Sequence, residues 1–443
     1  MRLGWSSVSV LLALSYVLMS VGCGASAAPS AEREKVALDT AYLSSFGFLE
    51  RDNNVIEAPD SLLEPFFDHL RRLEAKDTSM QCVCDDDCHD NDPDVLSVLH
   101  IGDSHIQAGI LVQQVRTMMQ TVFGNAGRGL VAPLRLARTN EPADYAIVSS
   151  AQWRSAKCTD REPSFMPGMT GMAVRTDGND FSIFISVFDN KERPDYRFNS
   201  VTAYHSPSAP PLVCARELSV DMCCPDTSRL WLSRIDLTEL TDSVTLFPAA
   251  GDFGTPEYWG FSLENGCDGV LYHSIGVNGA CYLHYSHIAG SLSCTSDLGP
   301  ELVIVSMGTN ESSTSRFNAD MLYRQIDDML SSLRKAHPDA LFMLTTPAQN
   351  FRRTRNGSVP NDNTVRARDV IAAYARENGM ALWDMFAVCG GGKAAVAWNR
   401  AGLMARDRVH YTEEGYRLQG MLLFEALMNS YYNVTAREDV AVD

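Results

Sequence analysis

Short apolar segments that alternate with helical patterns constrain the fold of this chain most strongly. "DVLSVLHIG", residues 94–102, is an apolar run that ends in glycine, and "LVIVSMG", residues 302–308, has the same form. Apolar residues at helical spacing follow each run, in 106–123 and in 318–338. Continuous apolar runs predict buried strands, and strands that alternate with helices predict a mostly parallel sheet covered on both faces. We therefore expect an α/β fold.

The same alternation continues toward the C-terminus. Segments 340–347 and 380–386 have strand character, whereas 363–379 and 412–432 have helical periodicity. Ligands in such sheets bind beyond the carboxyl ends of the strands. Ser104 and Asn310 both follow predicted strands, so we expect both at this edge of the sheet.

The middle of the chain has a different pattern. Alternating or β-rich runs occur at 181–188, 200–205, 229–235 and 243–247, and Asp, Asn, Pro and Gly separate them. This pattern predicts an all-β domain of the sandwich or jelly-roll kind. We place it at 146–265, inserted between the two parts of the α/β domain at 94–145 and 266–433.

The N-terminus has the features of an export signal. Arg2 precedes an apolar run, Val8 to Gly22, that is too short to span a bilayer comfortably. "ASA", residues 25–27, fits signal peptidase cleavage, and "SVGC", residues 20–23, resembles a lipoprotein box; both alternatives stay open. We expect a signal peptide at 1–28, a linker and lead-in at 29–93, and an exported protein, either soluble in the periplasm or anchored at a bacterial membrane or cell surface through Cys23.

The cysteine content bears on the compartment of the protein, and the net charge limits which molecules it can bind. Twelve cysteines are consistent with export, and the net charge of −18 argues against nucleic acid or an anionic membrane surface. "CVCDDDCH", residues 82–89, has ligand types for a metal, but its spacing favours local disulfides. The vicinal pair Cys223–Cys224 and the group Cys267, Cys281 and Cys294 also fit a region stapled by disulfides.

A set of polar residues near strand ends could support nucleophilic catalysis. Ser104 follows the first strand, and a serine needs a base to become a nucleophile. "ARDRVHYTEEGY", residues 405–416, places Asp407 three residues before His410, as a base and its orienting acid require. Each residue also has a structural interpretation: Asp103–Ser104 as a helix cap, and Asp407 and His410 as an ordinary loop.

Oxyanion donors can be proposed from two further segments. The side chain of Asn310 in "VSMGTNESS" is one candidate, and the backbone N–H of Gly279 in "HSIGVNGACY" is another, with Gly276 as the alternative. The alternative interpretation of all three is that they are turn residues.

Other candidate sites have weaker support. His284 and His287 could bind a metal, but no nearby carboxylate pair supports this, so we favour a structural or substrate-lining role. Tyr258 and Trp259 could stack on a sugar or pack in a core. "GGGK" at 390–393 lacks the full phosphate-binding pattern, and the G-x-S-x-G signature is absent because Ile106 occupies the place of its second glycine.

Four sequence blocks together resemble the SGNH (GDSL-like) hydrolase family. They are "GDSH" at 102–105, the glycine block at 276–279, "GTNE" at 308–311 and "DRVH" at 407–410, in the family's order. The resemblance implies Ser104 as nucleophile, His410 as base and Asp407 as its acid. It implies the N–H groups of Ser104 and Gly279 and the side chain of Asn310 as oxyanion donors. His105 stands where the family usually has leucine.

Three longer segments resemble bacterial peptidoglycan O-acetylesterases within that family: "HIGDSHIQAG" at 100–109, "FGNAGRGL" at 123–130 and "YHSIGVNGA" at 272–280. This resemblance implies a three-layer α/β/α sheet with an inserted β-rich module. It implies a serine esterase that removes O-acetyl groups from a carbohydrate, with peptidoglycan as the first candidate, and a reaction that needs no metal or cofactor. A carbohydrate O-acetyltransferase with the same triad, or a non-catalytic glycan-binding protein, is the alternative.

Overall fold

The computed structural model describes residues 39–76, 92–214, 232–355 and 357–441, with the backbone alone from 435 onward. The predicted signal segment with Cys23, the cysteines of the acidic loop at 82–89 and the pair Cys223–Cys224 lie outside these ranges. None of the helices within them is long and apolar enough to cross a membrane.

The described chain forms strands and helices with the following bounds. The strands are β1 (Val95–Gly102), β2 (Gly127–Val131), β3 (Tyr145–Ser149), β4 (Arg154–Lys157), β5 (Met172–Arg175), β6 (Ile183–Val187), β7 (Phe198–His205), β8 (Leu212–Cys214), β9 (Leu232–Thr241), β10 (Ser243–Pro248), β11 (Glu257–Glu264), β12 (Gly269–Gly276), β13 (Leu302–Ser306), β14 (Leu341–Thr345), β15 (Phe351–Thr354), β16 (Gly357–Pro360) and β17 (Ala381–Trp383). The α-helices are α1 (Thr40–Ser44), α2 (Glu64–Ala75), α3 (Ser104–Gln107), α4 (Ile110–Phe123), α5 (Tyr282–Ser286), α6 (Ala289–Leu292), α7 (Thr309–Ser312), α8 (Ala319–Ala336), α9 (Asn363–Glu377), α10 (Met385–Val388), α11 (Ala394–Arg400) and α12 (Glu413–Ala441); two 3₁₀-helices span Ser293–Leu298 and Gly391–Lys393.

A parallel sheet of five strands, in the order β12-β1-β13-β14-β17, forms the centre of the fold. The register aligns the carboxyl ends of these strands, because Gly102 pairs with both Gly276 and Ser306, and Ser306 pairs with Thr345. The predicted α/β class is confirmed. The turns after these strands therefore leave one common edge.

Both faces of this sheet are covered, as its apolar strands predict. Along β1, Leu99 and Ile101 join one apolar core, whereas Leu96 and Val98 join the other. The first core continues into α8, α9 and the antiparallel strands, and the second into α2, α4, α11 and α12. Alternate side chains of a strand point to opposite faces, so one strand anchors two layers.

Antiparallel strands fill the middle of the chain, where a β-rich module is predicted. They form one sheet in the order β3-β6-β10-β8 and another in the order β4-β5-β11-β7-β9. Strand β2, which precedes the predicted boundary at residue 146, also pairs with β11. The extra antiparallel sheets agree with the predicted module.

Tyr258 and Trp259, considered above as sugar-stacking residues, are part of this core. Tyr258 is fully buried, makes edge-to-face contacts with Trp153 and Phe181, and its hydroxyl donates to Pro210 O at 2.6 Å. Trp259 is 7% exposed and packs against Gly168, where a Cβ would lie 2.0 Å from its ring. The core interpretation is therefore correct for both.

Three local features differ from the sequence prediction. The helix predicted at 106–123 begins at Ser104 and is divided into α3 and α4, because Gly109 takes a φ of 80° between them. The hairpin β15–β16 was not predicted. Met321, predicted on the buried face of α8, is 46% exposed.

The lead-in before the first strand contributes to the core instead of forming a free linker. Glu57 exchanges two backbone hydrogen bonds with Leu382 of β17, at 2.7 and 2.9 Å. Helix α2 buries Phe66, Phe67 and Leu70 in the core that contains α4 and α12. Residues 39–76 therefore complete one edge of the sheet and one helical layer.

Cys281 and Cys294, proposed above as members of a disulfide-stapled group, are free thiols in the structure. Burial raises the pKa of the Cys294 thiol to about 11 and that of Cys281 further. The disulfide prediction is wrong for these two residues, and partly buried thiols of this kind behave as small apolar side chains.

Close backbone packing at Gly276 generates a prediction. A Cβ at this position would lie 2.2 Å from the backbone N of Gln107 in α3, whereas a Cβ at Gly290 in α6 meets nothing within 4 Å. We expect Gly276→Ala to lower the free energy of unfolding by about 1–3 kcal/mol through overpacking. Gly290→Ala is the matched control and should be neutral or stabilising. Denaturant unfolding measures both, and equal stability of the two variants would contradict this account.

Candidate active site

Ser104 stands at the sharp turn between β1 and α3. Asp103 caps the helix, and its Oδ1 accepts the N–H of His105 at 2.9 Å. A Cβ on Gly102 would lie 2.7 Å from Ser306 O, so only glycine permits this close turn. Asp103 therefore fulfils the capping role considered above, which leaves the Ser104 hydroxyl available for another partner.

The structure brings Ser104, His410 and Asp407 together although 306 positions separate the first two. Ser104 Oγ lies 2.8 Å from His410 Nε2, and His410 Nδ1 lies 2.7 Å from Asp407 Oδ2. Asp407 Oδ1 also accepts the backbone N–H groups of Val409 and His410, at 2.9 and 3.0 Å. A base that reaches the hydroxyl and is oriented by a carboxylate is the arrangement that activates a serine.

The charge of Asp407 is stabilised by its hydrogen bonds. Burial raises the pKa of this carboxyl, but the His410 ring and the N–H groups of Val409 and His410 lower it more, to about 2. Asp407 is therefore ionised over the physiological range. An ionised partner at Nδ1 favours the tautomer of His410 whose Nε2 accepts the serine proton.

The loop after β12 leaves the N–H of Gly279 without an acceptor among the described residues. Gly279 is exposed and has a φ of 78°. The backbone N–H groups on either side of it all donate hydrogen bonds. Two go to backbone oxygens: Val277 N to Gly102 O at 3.3 Å and Ala280 N to Val277 O at 3.0 Å. Three go to side chains: Asn278 N to Gln107 Oε1 at 2.7 Å, Cys281 N to His284 Nδ1 at 2.9 Å and Tyr282 N to Glu311 Oε1 at 2.9 Å. Gly279 therefore suits an oxyanion donor better than Gly276, which is packed against Gln107.

Asn310 lies in α7, four residues after the end of β13. Its Nδ2 donates to Ala280 O at 2.9 Å and makes a long contact of 3.4 Å with Asp103 Oδ2. The amide has two hydrogens, so one anchors the Gly279 loop, and the other, which makes only the long contact with Asp103, is the candidate oxyanion donor. The N–H of Ser104, at the first position of α3, has no intrahelical acceptor.

Gln107, which the sequence prediction missed, braces the Gly279 loop against α3. Its Oε1 accepts Asn278 N, and its Nε2 donates at 2.8 Å to both Thr139 Oγ1 and Asn140 Oδ1. Gln107 is buried. Its position three residues after Ser104 on the same helix was a signal that could have identified it.

His105, which stands where the SGNH resemblance leads one to expect leucine, packs beside the His410 ring. Its ring centroid is 5.3 Å from that of His410, and its Nδ1 lies 3.0 Å from Tyr416 OH. Burial, together with the nearby His410, lowers the pKa of His105 to about 3. His105 is therefore a neutral ring packed beside His410.

His284 and His287 were considered above as metal ligands. His284 Nδ1 accepts the N–H of Cys281 and so caps helix α5. This is the structural role that the sequence favoured.

A model of a known protein family matches part of the second half of the chain. Residues 240–418 match the GDSL-like lipase/acylhydrolase family. This range contains Gly279, Asn310, Asp407 and His410, whereas Ser104 precedes it. No curated protein matches the sequence.

One solved structure shows the same fold over most of the chain, and a second matches a smaller part. A structure described as "Peptidoglycan O-acetylesterase in action, 5 min" superposes with a TM-score of 0.67 at 17% identity, over 85% of this chain and 99% of that one. A lipase/acylhydrolase from Enterococcus faecalis matches with a TM-score of 0.28 at 16% identity, over 35% of this chain and 75% of that one. At these identities the first match shows the fold.

The Asp407–His410 contact generates a kinetic prediction. Asp407→Asn keeps an oxygen that accepts the backbone N–H groups but removes the charge that stabilises protonated His410. We expect kcat for ester hydrolysis to fall by a factor on the order of 10⁴, with little change in melting temperature. A loss smaller than tenfold would show that Asp407 does not orient the base.

The buried carboxyl of Glu311 generates a prediction about pH. Its Oε2 has no hydrogen-bond partner among the described residues, and burial raises its pKa to about 7. The folded state therefore keeps a proton that the unfolded chain releases from about pH 4.5, so Glu311 lowers the free energy of unfolding as pH rises from there to 7.

Glu311→Gln keeps an acceptor for Tyr282 N and does not titrate. Relative to wild type, we expect this variant to gain roughly 1–3 kcal/mol in unfolding free energy between pH 4.5 and 7. Denaturant unfolding across this range measures the difference, with the exposed Glu239→Gln as the control. A pH-independent difference would mean that Glu311 does not hold the proton.

Proposed function

We propose that this chain, whose residues 240–418 belong to the GDSL-like lipase/acylhydrolase family, is an exported serine esterase that removes O-acetyl groups from a carbohydrate. The observation that carries the proposal is the 2.8 Å contact between Ser104 Oγ and His410 Nε2, with Asp407 on the opposite ring nitrogen. Peptidoglycan is the first candidate for the acetylated polymer.

In the first half of the reaction, the hydroxyl of Ser104 attacks the acetyl carbonyl while His410 Nε2 takes its proton. The carbonyl oxygen gains negative charge, and the N–H groups of Ser104 and Gly279 and the amide of Asn310 are the donors for it. Asp407 stabilises the imidazolium that forms. The sugar oxygen then leaves with the proton from His410, and the acetyl group remains on Ser104.

In the second half, water replaces the sugar. His410 removes a proton from the water, the resulting oxygen attacks the acetyl-serine carbonyl, and the same donors receive the charge. Collapse releases acetate and returns the proton to Ser104. If a sugar hydroxyl replaces water in this step, the same residues perform acetyl transfer.

Two observations support a carbohydrate substrate. The likeness to the peptidoglycan O-acetylesterase structure covers 85% of this chain, which is more than the parallel-sheet domain alone. The segments at 100–109 and 272–280 resemble that group and carry Ser104 and Gly279, and the third such segment, 123–130, contacts β12. The export part of the proposal rests on Arg2 and the apolar run that follows it.

Acetate release from O-acetylated peptidoglycan, compared with acetylated xylan, tests the proposal. We expect faster release from peptidoglycan and almost none with Ser104→Ala, because no other hydroxyl occupies the nucleophile position. Acetate that appears on an added glycan acceptor instead of in solution would identify a transferase. Glycan binding without acetate release from any ester would identify a binding protein.

The role of Asn310 can be tested separately. Asn310→Ala removes one oxyanion donor and the bond to Ala280 O, so we expect kcat to fall by a factor on the order of 10²–10³. Measurement of kcat and KM for a small acetyl ester, with melting temperature as the folding control, checks this. A change confined to KM would place Asn310 in substrate binding instead.

A further inference from the structure

Five exposed arginines lie on two neighbouring segments beside the candidate site. Arg352, Arg353 and Arg355 belong to the hairpin β15–β16, and Arg406 and Arg408 belong to the loop that carries Asp407 and His410. We call these five residues the arginine surface. It is a local concentration of positive charge in a chain whose net charge is −18.

The hairpin is fixed against the loop that carries the base. Phe351 N donates to Arg408 O at 3.0 Å, and the guanidinium of Arg408 lies 5.4 Å from the centre of the Phe351 ring. Ala405 N donates to His410 O at 2.9 Å, which closes the loop around Asp407. The arginine surface therefore keeps a defined position relative to His410.

Within the described part of the chain, no carboxylate forms an ion pair with any of the five arginines. Residues 351–360 contain no Asp or Glu, and residues 401–411 contain only Asp407, which is committed to His410. Elsewhere on the surface, Arg376 pairs with Glu57, and Arg417 pairs with Glu192 and Glu413. The positive charge beside the site is thus left for another molecule.

Guanidinium groups bind carboxylates through paired N–H···O bonds and stay charged at every physiological pH. We propose that the arginine surface binds carboxylates of an anionic O-acetylated glycan and so holds its acetyl ester at Ser104. This inference rests on the proposed function and specifies its substrate class. The carboxylates can belong to peptide stems on the glycan or to uronic acid units, which share this chemistry.

Electrostatics explains why such a surface is needed. A chain with net charge −18 repels a polyanion over long distances. A local positive region lowers that barrier at one place and directs the polymer to it, and salt screens the effect. A neutral glycan such as acetylated xylan gains nothing from the arginine surface.

The test compares each anionic substrate with its own neutral form. O-acetylated peptidoglycan and an O-acetylated polyuronate are used intact and after amidation of their carboxyl groups. For the wild-type protein, we expect kcat/KM to be about tenfold higher for the intact form of at least one polymer at low salt, and this ratio to shrink at high salt. The polymer that shows the preference identifies the source of the carboxylate.

The variant Arg352→Gln/Arg353→Gln/Arg355→Gln should bring the ratio of intact to amidated substrate close to one. The matched control is Arg324→Gln/Arg334→Gln/Lys335→Gln, which removes three exposed positive charges from α8 and should keep the ratio. Equal kcat/KM for intact and amidated polymers in the wild type, or an unchanged ratio in the triple variant, would overturn the proposal.

A binding measurement separates this inference from the esterase proposal. Ser104→Ala is titrated with deacetylated glycans, intact and amidated, so that no turnover is required. Tighter binding of an intact glycan, lost in the triple variant on the same background, supports the arginine surface even where no acetate is released. Equal binding of both forms overturns it, whatever the esterase assays give.

Discussion

The register of the parallel sheet is the constraint on which the candidate site depends. Gly102 pairs with Gly276 on one side and with Ser306 on the other, so three strand ends stop at the same level. The turns that follow carry Ser104, Gly279 and Asn310. Glycine at 102 and 276 lets α3 approach both strands closely, since a Cβ at either position would collide with neighbouring backbone atoms. A shift of one residue in this pairing would separate the hydroxyl from the proposed oxyanion donors.

The hydrogen bonds around the site then distinguish groups that hold its loops in place from groups that are left for a substrate. Buried and turn N–H groups normally find acceptors. In the loop after β12, side chains from three other elements supply them: Gln107 from α3, Glu311 from α7 and His284 from α5. The N–H of Gly279 is left pointing to no described acceptor. Asp103 is the helix cap because its Oδ1 accepts the N–H of His105, whereas the hydroxyl of Ser104 contacts His410 Nε2.

The sequence was sufficient to predict the α/β class and the residues that lie together at the candidate site. It was insufficient to predict the residues that hold them in position. Buried strands are recognisable because their apolar runs are continuous, and Ser104, Asn310, Asp407 and His410 follow recognisable strands or precede the last helix. Their roles remain predictions, although the distances agree with them. Gln107 was missed because its spacing from Ser104 does not show which loop it contacts, and the hairpin β15–β16 was missed because its long-range contacts leave no local pattern. The division of the 106–123 helix was missed because an isolated glycine is tolerated within a helix, and only the φ of Gly109 shows the break.

The charges around His410 follow from differences in burial. Desolvation raises the pKa of Asp103 and of Glu311 to about 7, and it lowers the pKa of His105 to about 3, so burial favours the neutral form of all three. Asp407 is half-exposed, and its hydrogen bonds lower its pKa to about 2. Asp407 is thus the carboxylate kept ionised at the catalytic ring, on the nitrogen opposite Ser104. In the proposed mechanism, the ionised carboxylate would stabilise the imidazolium that forms when His410 takes the serine proton. The arginines lie on the exposed side of the same loop, where water solvates them until a ligand binds. The loop 405–410 therefore carries one negative charge that is hydrogen-bonded to the His410 ring and two exposed positive charges, Arg406 and Arg408, that are free for the proposed substrate.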